Sequence, residues 1–315
     1  ILHWSFLEET DALALDFTLR LRGPEEPDER IVIVAIDDTS LAQLGNWPWQ
    51  PDVISDLIHR ILDAGPQIVG VDLLLSRPLD EYPALRGGGP IVLATSLTST
   101  GGQGPPGWQG PDLDEHSAGI TVAHIHAAKD PDGVCRSIPL AVSYEGTRQW
   151  AFSVELARRV LEVPDDEVRF RGNHLYIGSE IRIPRLSTPI DHSVDAAGVL
   201  PSLPSDLLLL NSRGGPGTFP YVSASNVLAG DARALEQLNR RIVLLGATAY
   251  SLGDHLGTAF SGFSEMPGIE IHANALDTIL SGRFITALEE PWRTVYLAAL
   301  MVAAWLLFAA WPRAR

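Results

Sequence analysis

Residues 31–75 decide the fold of this chain: IVIVAIDDTSLAQLGNWPWQPDVISDLIHRILDAGPQIVGVDLLL. The runs at 31–37 and 67–75 are short, continuously apolar and rich in β-branched residues, so each is predicted to form a buried strand. A helix opens at Pro51 between them, and its predicted buried stripe consists of Ile54, Leu57, Ile58, Ile61 and Leu62. Strand, amphipathic helix and strand make a βαβ unit, so we expect two parallel strands and a right-handed crossover.

The rest of the sequence continues this alternation and adds antiparallel segments. Further strands are predicted at 90–97, 119–127, 134–144, 207–211 and 241–246, and further helices at 150–163, from Ser223, and from Pro267 to Gly282. The strand at 207–211, the helix from Ser223 and the strand at 241–246 form a second predicted strand–helix–strand passage. Asp130-Pro131-Asp132-Gly133 has the residues of a type I turn. Residues 168–184 alternate with period two, as in an antiparallel meander.

An uninterrupted apolar run, Trp292 to Trp311, follows these elements. Its 20 residues extend about 30 Å as a helix, which is the thickness of a bilayer's hydrocarbon core. Arg313 and Arg315 follow the run, so the positive-inside bias predicts that this end is cytoplasmic and that the larger part of the chain lies outside. A buried core helix is the alternative. The predicted fold class is α/β, a mostly parallel sheet from βαβ units with an antiparallel addition, followed by a C-terminal transmembrane helix.

The sequence divides into three predicted segments. Residues 1–22 form an N-terminal stalk helix, which could be the tail of a preceding membrane span. Residues 23–287 form one extracytoplasmic domain, and residues 288–315 form the transmembrane helix and the start of the cytoplasmic side. Helical character in the stalk is indicated by an apolar stripe with i, i+4, i+8 spacing, Leu13, Phe17 and Leu21.

Composition excludes several classes of function. The formal net charge is −16 and Lys129 is the single lysine, so the sequence predicts no binding to nucleic acid, which requires clustered basic residues. Cys135 is the single cysteine, which excludes an intrachain disulfide, a cysteine-based zinc site and a CxxC redox pair.

The order of motifs resembles the second class of CHASE domains, the sensory extracellular domains associated with cyclases and histidine kinases. The resemblance rests on the 31–75 block with its Trp-Pro-Trp, on DGVCRSIPL, LLLLNSRGGPGTFP and RIVLLGATAYSLGDHLGTAF, and on MPGIEIHANALDTILSG before the apolar run. It covers roughly residues 10–285. One departure is Gln50-Pro51 after the Trp-Pro-Trp, where the family often has a basic residue after a proline. This departure puts in doubt any anion contact from that corner.

The resemblance implies a sensory input module rather than an enzyme. It implies a location in the cell inner membrane, with the sensor domain periplasmic or extracellular. It also implies a cytoplasmic output domain in the same chain, such as a nucleotide cyclase or a kinase. The expected partners are an unidentified small-molecule or protein ligand, the membrane through residues 292–311, and a second copy in a homodimer, because paired spans transmit a shift to a dimeric output.

Candidate ligand-binding residues follow from the predicted sheet, because ligands of open α/β sheets bind beyond the carboxyl ends of parallel strands. Asp37 and Asp72 end the first two strands, and Trp47 with Trp49 would offer a stacking surface. The full set of candidates is Asp37, Trp47, Trp49, Asp72, Asn211, Arg213, Asp254, His272 and Asn274. The alternative is that the polar members are helix caps and loop-fixing residues, and that the tryptophans are a packed corner of the core.

Other motifs carry weaker predictions. Residues 214–217 are glycine-rich after a strand but lack the spacing of a phosphate-binding loop, so we interpret them as a turn. His124 and His126 alternate on a strand, and no third metal ligand is identifiable by spacing. Glu270 and Asn274 share a helix face that His272 does not. The sequence therefore predicts no metal, no cofactor and no catalytic residue.

Two other functions stay open at this stage. A membrane-anchored extracytoplasmic hydrolase would use Asp37 and Asp72 as a carboxylate pair. A non-catalytic adhesion or structural module would have no ligand-binding cleft.

Overall fold

The structure is a computed structural model, and it describes residues 2–75, 77–99, 106–111, 113, 117–187, 206–262, 264–286 and 290–310. The chain divides into two compact units, with the boundary between Phe284 and Ile285. The N-terminal helix belongs to the larger unit.

The described helices and strands alternate along most of the chain. The helices are α1 (Leu2–Arg22), α2 (Asp38–Leu44), α3 (Pro51–Asp63), α4 (Phe152–Val160), α5 (Ala224–Leu228), α6 (Ala232–Glu236), α7 (Gly268–Ser281) and α8 (Glu290–Ala310). The strands are β1 (Ile31–Ile36), β2 (Ile68–Asp72), β3 (Ile91–Ser99), β4 (Pro106–Gln109), β5 (Ile120–His124), β6 (Ala128–Lys129), β7 (Cys135–Pro139), β8 (Ala141–Tyr144), β9 (Thr147–Trp150), β10 (Val168–Arg171), β11 (His174–Ile177), β12 (Ile181–Pro184), β13 (Leu186–Ser187), β14 (Asp206–Leu209), β15 (Tyr221–Ser223), β16 (Ile242–Ala247), β17 (His255–Leu256) and β18 (Met266–Pro267).

The main sheet is mostly parallel, which confirms the predicted fold class for this part of the chain. Within the described ranges it has seven strands in the order β15-β1-β16-β2-β3, followed by β5 along the first part of β3 and β4 along its last part. Only β4 runs antiparallel to its neighbour in the described sheet. The strands β1 and β2 are parallel as predicted, but β16 lies between them and pairs with both.

Helices cover both faces of the main sheet. On one face, α3 buries Ile54, Leu57, Ile58 and Ile61 of the predicted stripe, whereas Leu62, its fifth member, is only partly buried. On the other face, α4 and α7 pack against the sheet. The approach of α7 depends on Gly246 of β16, where an added Cβ would lie 2.7 Å from the Cβ of Ile269. A glycine at this position therefore lets the N-terminal turn of α7 lie directly on the carboxyl end of β16.

Two local predictions are confirmed. Residues 168–184 form the antiparallel meander β10-β11-β12. The turn at 130–133 closes with a hydrogen bond of 2.8 Å from the Gly133 amide to the Asp130 carbonyl. The turn joins β6 to β7, however, because β5 leaves before it to join the main sheet.

The predicted second strand–helix–strand passage is wrong at its first strand. The run at 207–211 contributes β14, which pairs antiparallel with β7 and β13 in a separate sheet. The strand that precedes α5 in the main sheet is β15, which pairs parallel with β1. A short apolar run does not reveal which sheet it joins, and that ambiguity caused the error.

The predicted membrane span corresponds in part to α8, which has 21 residues. Among the described residues, no helix combines the length and the apolar character that crossing a bilayer requires, so the structure does not support this prediction. Trp311, Arg313 and Arg315, on which the predicted extent and orientation depend, lie outside the described residues.

Candidate functional site

The carboxyl edge of the main sheet carries the acidic residues that the sequence placed there. Asp37 directly follows β1, and Asp72 is the last residue of β2. Asp254 approaches the same edge from the segment after β16, beside the first residue of α7, since an added Cβ on Gly268 would lie 2.6 Å from either of its carboxylate oxygens. The edge therefore brings Asp72 and Asp254 together, with β16 separating β2 from β1.

Asp37 acts as a helix cap. Its Oδ1 accepts hydrogen bonds from the amide of Ser40 at 2.8 Å, from the Ser40 hydroxyl at 2.6 Å and from the Ser223 hydroxyl at 2.9 Å. These bonds fix the first turn of α2 and the end of β15. The alternative reading of this residue, a capping and loop-fixing role, is the one that its contacts support.

Asp72 is a buried carboxyl group beside a second carboxyl group. It is 8% exposed, and burial together with the charge of Asp254 raises its pKa well above the ordinary value. Partial desolvation also raises the pKa of Asp254. No described residue donates a hydrogen bond to the Asp72 side chain. Both effects disfavour the ionised form of Asp72, which is the form that an exposed aspartate adopts at neutral pH.

Trp47 and Trp49 line a cavity next to this edge, which we call the tryptophan cavity. Its volume is about 250 Å³, and its walls include Trp47, Trp49, Ile54, Leu75 and Tyr82, with Arg77 at one side. The two indole rings meet edge to face at 5.5 Å. Trp49 is 7% exposed and donates to the Gly45 carbonyl at 3.0 Å. Trp49 is thus part of the core, and the half-buried Trp47 is the ring that faces the cavity.

A second cavity lies at the N-terminal end of α7. We call it the tyrosine cavity, and its walls include Pro216, Tyr221, Tyr250, His255, Glu265 and Pro267. Its volume is about 420 Å³. The rings of Tyr250 and His255 lie 5.0 Å apart, and Tyr250 is 71% exposed.

Glu270, in the first turn of α7, fixes one wall of the tyrosine cavity. Its side chain is fully buried and accepts hydrogen bonds from the amides of Gly217 at 2.9 Å and Thr218 at 2.8 Å, and from the Tyr221 hydroxyl at 2.6 Å. The glycine-rich loop after Arg213 resembles an anion-binding turn, and its amides bind a carboxyl group of the chain itself, that of Glu270. Burial and the charge of Glu270 raise the pKa of Tyr221, so its phenol stays protonated.

Asn211 and Arg213 do not lie at the carboxyl edge of the main sheet, so that prediction is wrong. They follow β14 of the separate sheet and contact the C-terminal half of α7. The Arg213 side chain is 2% exposed; it donates to Asp277, to Ser281 Oγ at 2.8 Å and to Glu25 at 2.8 Å. Its backbone amide donates to Asn274 Oδ1 at 2.8 Å. Asn274 thus fixes this loop from within the core.

Arg213 and Asn211 also connect two distant parts of the larger unit, the segment after α1 and the C-terminal end of α7. We call this group the Arg213 cluster: Arg22, Glu25, Asn211, Arg213, Asp277 and Arg283. Arg22 donates to the Asn211 side chain, whose amide group donates in turn to the Arg283 carbonyl at 2.9 Å. The amide of Asp28 donates to Asp277 at 2.7 Å. The chain segment that leaves α1 and the segment that leaves α7 are therefore joined by buried, charge-assisted hydrogen bonds.

A second buried arginine holds α1 to the rest of the unit. Arg136 in β7 makes two hydrogen bonds of 2.8 Å to Asp16 of α1 and further ones to Asp130 and Asp132 of the predicted turn. Although burial alone would lower it, these hydrogen bonds raise the pKa of Arg136. The opposite side of α1 carries Leu13 and Phe17, which are 63% and 66% exposed.

His272 and His124 lie in the core rather than in a cleft. His272 is 3% exposed, its ring meets Phe152 edge to face at 5.5 Å, and burial lowers its pKa to about 4. His124 is buried and accepts from the His126 amide at 3.2 Å, while His126 Nε2 accepts from the Leu97 amide at 2.9 Å. In the described part of the chain, no three His, Cys, Asp or Glu side chains are placed to hold a metal ion.

Several residues at these sites were not predicted from the sequence. Tyr221 and Tyr250 line the same cavity although they belong to different segments, the start of β15 and the segment after β16. Glu25 and Asp277 are 252 residues apart in sequence, and no local pattern links them. Glu270 did have a signal, since it is an acidic residue in a helix's first turn directly after Pro-Gly.

Comparison with known proteins gives one match. A family model described as "CHASE2 domain" matches residues 1–311 of the chain. No curated protein and no solved structure matches it.

Proposed function

The chain belongs to the CHASE2 domain family, a family of extracellular sensory, non-catalytic domains, and we propose that it is the ligand-input domain of a transmembrane signalling receptor. Ligand binding outside the cell would regulate a cytoplasmic output, such as a nucleotide cyclase or a kinase. A sensor needs a site for its ligand and a path from that site to the segments that leave the domain.

The observation that carries this proposal is the Arg213 cluster. It places the segment after α1 and the helix α7 on one buried arginine, through Glu25 and Asp277. A displacement of α7 would therefore move both segments together. Such a connection would let a sensory domain change the relative position of the two segments. An adhesion module does not require it.

The helix α7 links this cluster to the carboxyl edge. It has 14 residues and so extends about 21 Å, from Glu270 beside the tyrosine cavity to Asp277 and Ser281 in the Arg213 cluster. A rigid helix with one end at a cavity and the other at the exit is suited to two discrete positions, whose populations a ligand would shift.

The hydrolase alternative loses its supporting pair. The carboxylate of Asp37 is occupied by the cap of α2 and β15, whereas Asp72 faces Asp254 and is favoured in its protonated form. Asp37 and Asp72 therefore have different partners and do not form the carboxylate pair that this alternative invokes.

Three further elements of the proposal remain predictions from the sequence and the family. They are the attachment to an inner membrane through residues 292–311, which no described helix supports, the identity of the output, and homodimerisation.

The proposal is tested by the variant Glu25→Gln in the full-length receptor. Glu25 is 32% exposed, and its replacement removes the ion pair between the segment after α1 and Arg213. The buried Arg213–Asp277 pair and the hydrogen bonds of Arg22 and of the Asp28 amide remain. We expect a melting temperature within about 2 °C of the wild type, as for a loss of less than 1 kcal/mol, together with a shifted basal output activity. The matched control is Arg185→Gln, which removes the similarly exposed ion pair with Asp206 outside the cluster. Equal effects of both variants on output would contradict the proposal.

A further inference from the structure

The tyrosine cavity has the composition of a site for a positively charged organic group. It lies between the Glu270-bound loop and the segment after β16, and its aromatic walls come from separate parts of the chain. Tyr221 is held by its hydrogen bond to Glu270, so its hydroxyl is occupied and its ring is fixed. Tyr250 and His255 form the opposite aromatic wall, with rings at 5.0 Å.

The charge at this cavity is negative. Glu265 is exposed at its rim, and Asp254 directly precedes His255. The described lining residues include no lysine or arginine. The positive charges that lower the pKa of Asp254 are those of His255, which lines the cavity, and of Lys129, which does not. The whole chain has a formal net charge of −16. An anionic ligand would therefore be repelled both at long range and at contact.

Aromatic rings and carboxylates together favour one ligand chemistry. The faces of tyrosine rings attract ammonium groups, most strongly where water is partly excluded. A neutral apolar ligand would gain nothing from Glu265, and a metal ion would require more oxygen ligands than the cavity provides. The cavity volume of about 420 Å³ is in the range of small-molecule sites.

We propose that the tyrosine cavity binds an organic ammonium group, with Tyr221, Tyr250 and His255 as the aromatic walls and Glu265 as the counter-charge. This inference deepens the proposed sensory function and rests on it for its consequence. A ligand in the cavity would contact Tyr221, whose hydroxyl is bonded to Glu270, and would thereby act on the first turn of α7.

Binding is tested by calorimetry on the full 315-residue chain with choline as the probe. The matched ligand is dimethylbutanol, the neutral isostere in which carbon replaces the quaternary nitrogen of choline. We expect choline to bind at least about tenfold more tightly than the isostere, the size expected when cation–π contacts with two tyrosine rings add to the attraction of Glu265.

Two variants assign the binding to this cavity. Tyr250→Leu removes an aromatic face from a side chain that is 71% exposed, so the fold should tolerate it, and Glu265→Gln removes the counter-charge. Each is expected to weaken choline binding about fivefold or more. The matched controls are Tyr144→Leu in β8 and Glu180→Gln between β11 and β12, which are expected to bind choline as the wild type does.

The outcomes separate this inference from the proposed function. Equal binding of choline and its isostere, no choline binding at millimolar concentration, or wild-type affinity of both cavity variants would each overturn the site. Choline binding that depends on Tyr250 and Glu265 supports it, whatever the output does. A third outcome is that choline binds in this way but neither choline nor Glu25→Gln changes the output of the full-length receptor. In that case the proposed function is wrong and the binding site is still supported.

Discussion

The role of each buried carboxyl group in this domain follows from the donors around it. Glu270 accepts hydrogen bonds from two loop amides and a tyrosine hydroxyl, and these bonds anchor its side chain within the core. Asp37 accepts the bonds of a helix cap. Asp72 has a neighbouring carboxyl group instead of a donor. Acidic side chains near one sheet edge thus serve as an anchor, as a cap and as a group that resists ionisation.

Replacing Asp72 by asparagine is expected to stabilise the domain at neutral pH. Because the pKa of Asp72 is raised on folding, the native state binds more protons than the unfolded state, and the stabilising effect of this group is complete below the unfolded pKa of 3.8. Stability then falls as the pH rises through the raised pKa. Asp72→Asn keeps a neutral side chain at every pH, so the variant should be more stable than the wild type at pH 7, where ionisation of the buried Asp72 is opposed by the fold.

The measurement is urea denaturation of both proteins from about pH 4 to pH 8, the interval over which a raised carboxyl pKa acts. The advantage of the variant should be small at the acid end and should grow with pH. Asp52→Asn, at an exposed position in α3, is the control and should show no such trend. A variant that loses the same stability at every pH would show that the Asp72 side chain has an unrecognised hydrogen-bonding role.

Among single residues, local sequence predicted position better than role. The acidic ends of β1 and β2 were placed correctly, because strand ends and sheet direction follow from local periodicity. The cap at Asp37 depends on Ser223, and the partners of Arg213 lie in three distant segments. Pairs between such distant segments cannot be predicted from the spacing of residues along the sequence.

At the scale of elements, α1 is held to the domain by charge on its buried side. Asp16 is 4% exposed against Arg136, and Leu19 is 4% exposed beside it. The stripe of Leu13, Phe17 and Leu21, which indicated a helix from the sequence, faces away from the domain. Periodicity thus predicted the element correctly but could not tell which side would be buried, because a buried ion pair replaced the usual apolar contact.

The variant Asp16→Asn is expected to loosen α1 without unfolding the domain. Arg136 would keep Asp130 and Asp132 as partners, so it would not be left as an unpaired buried charge. Loss of one charge-assisted pair should lower the free energy of local opening by about 1–3 kcal/mol. Trypsin should then cleave after Arg20 and Arg22 about fivefold faster or more.

Appearance of the fragment that begins at Gly23, followed by mass spectrometry, gives the rate. Asp56→Asn removes an exposed ion pair from α3 and serves as the control, with no expected change at these sites. Unchanged cleavage in Asp16→Asn would mean that Leu19 and the contact from Arg20 to the Ala259 carbonyl are sufficient to hold the helix.

The larger elements were predictable where one principle dominated. The helix α3 and its buried stripe, the meander at 168–184 and the end of α7 at Gly282 all match the sequence analysis. Tertiary packing determines that β16 lies between β1 and β2. It also determines that β14 pairs with β7 in another sheet. Residues of both strands are equally apolar, so burial alone could not assign them to sheets.

At the scale of the whole molecule, the larger unit is arranged so that its two connecting segments meet. The segment after α1 and the segment after α7 share the Arg213 cluster, although almost the entire fold separates them in sequence. Coupling between the segments is then a property of the assembled domain rather than of either segment. It should be visible as a response of one segment to a change made in the other.

The variant Arg22→Gln tests this coupling directly. Arg22 donates to the side chain of Asn211, and Asn211 in turn donates to the carbonyl of Arg283. We expect faster amide hydrogen exchange at 22–28 and also at 279–283, by about fivefold or more at each, which corresponds to about 1 kcal/mol of lost protection. The meander at 168–184 has no contact with the cluster among its hydrogen-bonded pairs, so it should exchange as in the wild type. If 22–28 alone responds, the two segments are bound to the same cluster but open independently, and α7 would have to transmit its position without the segment after α1.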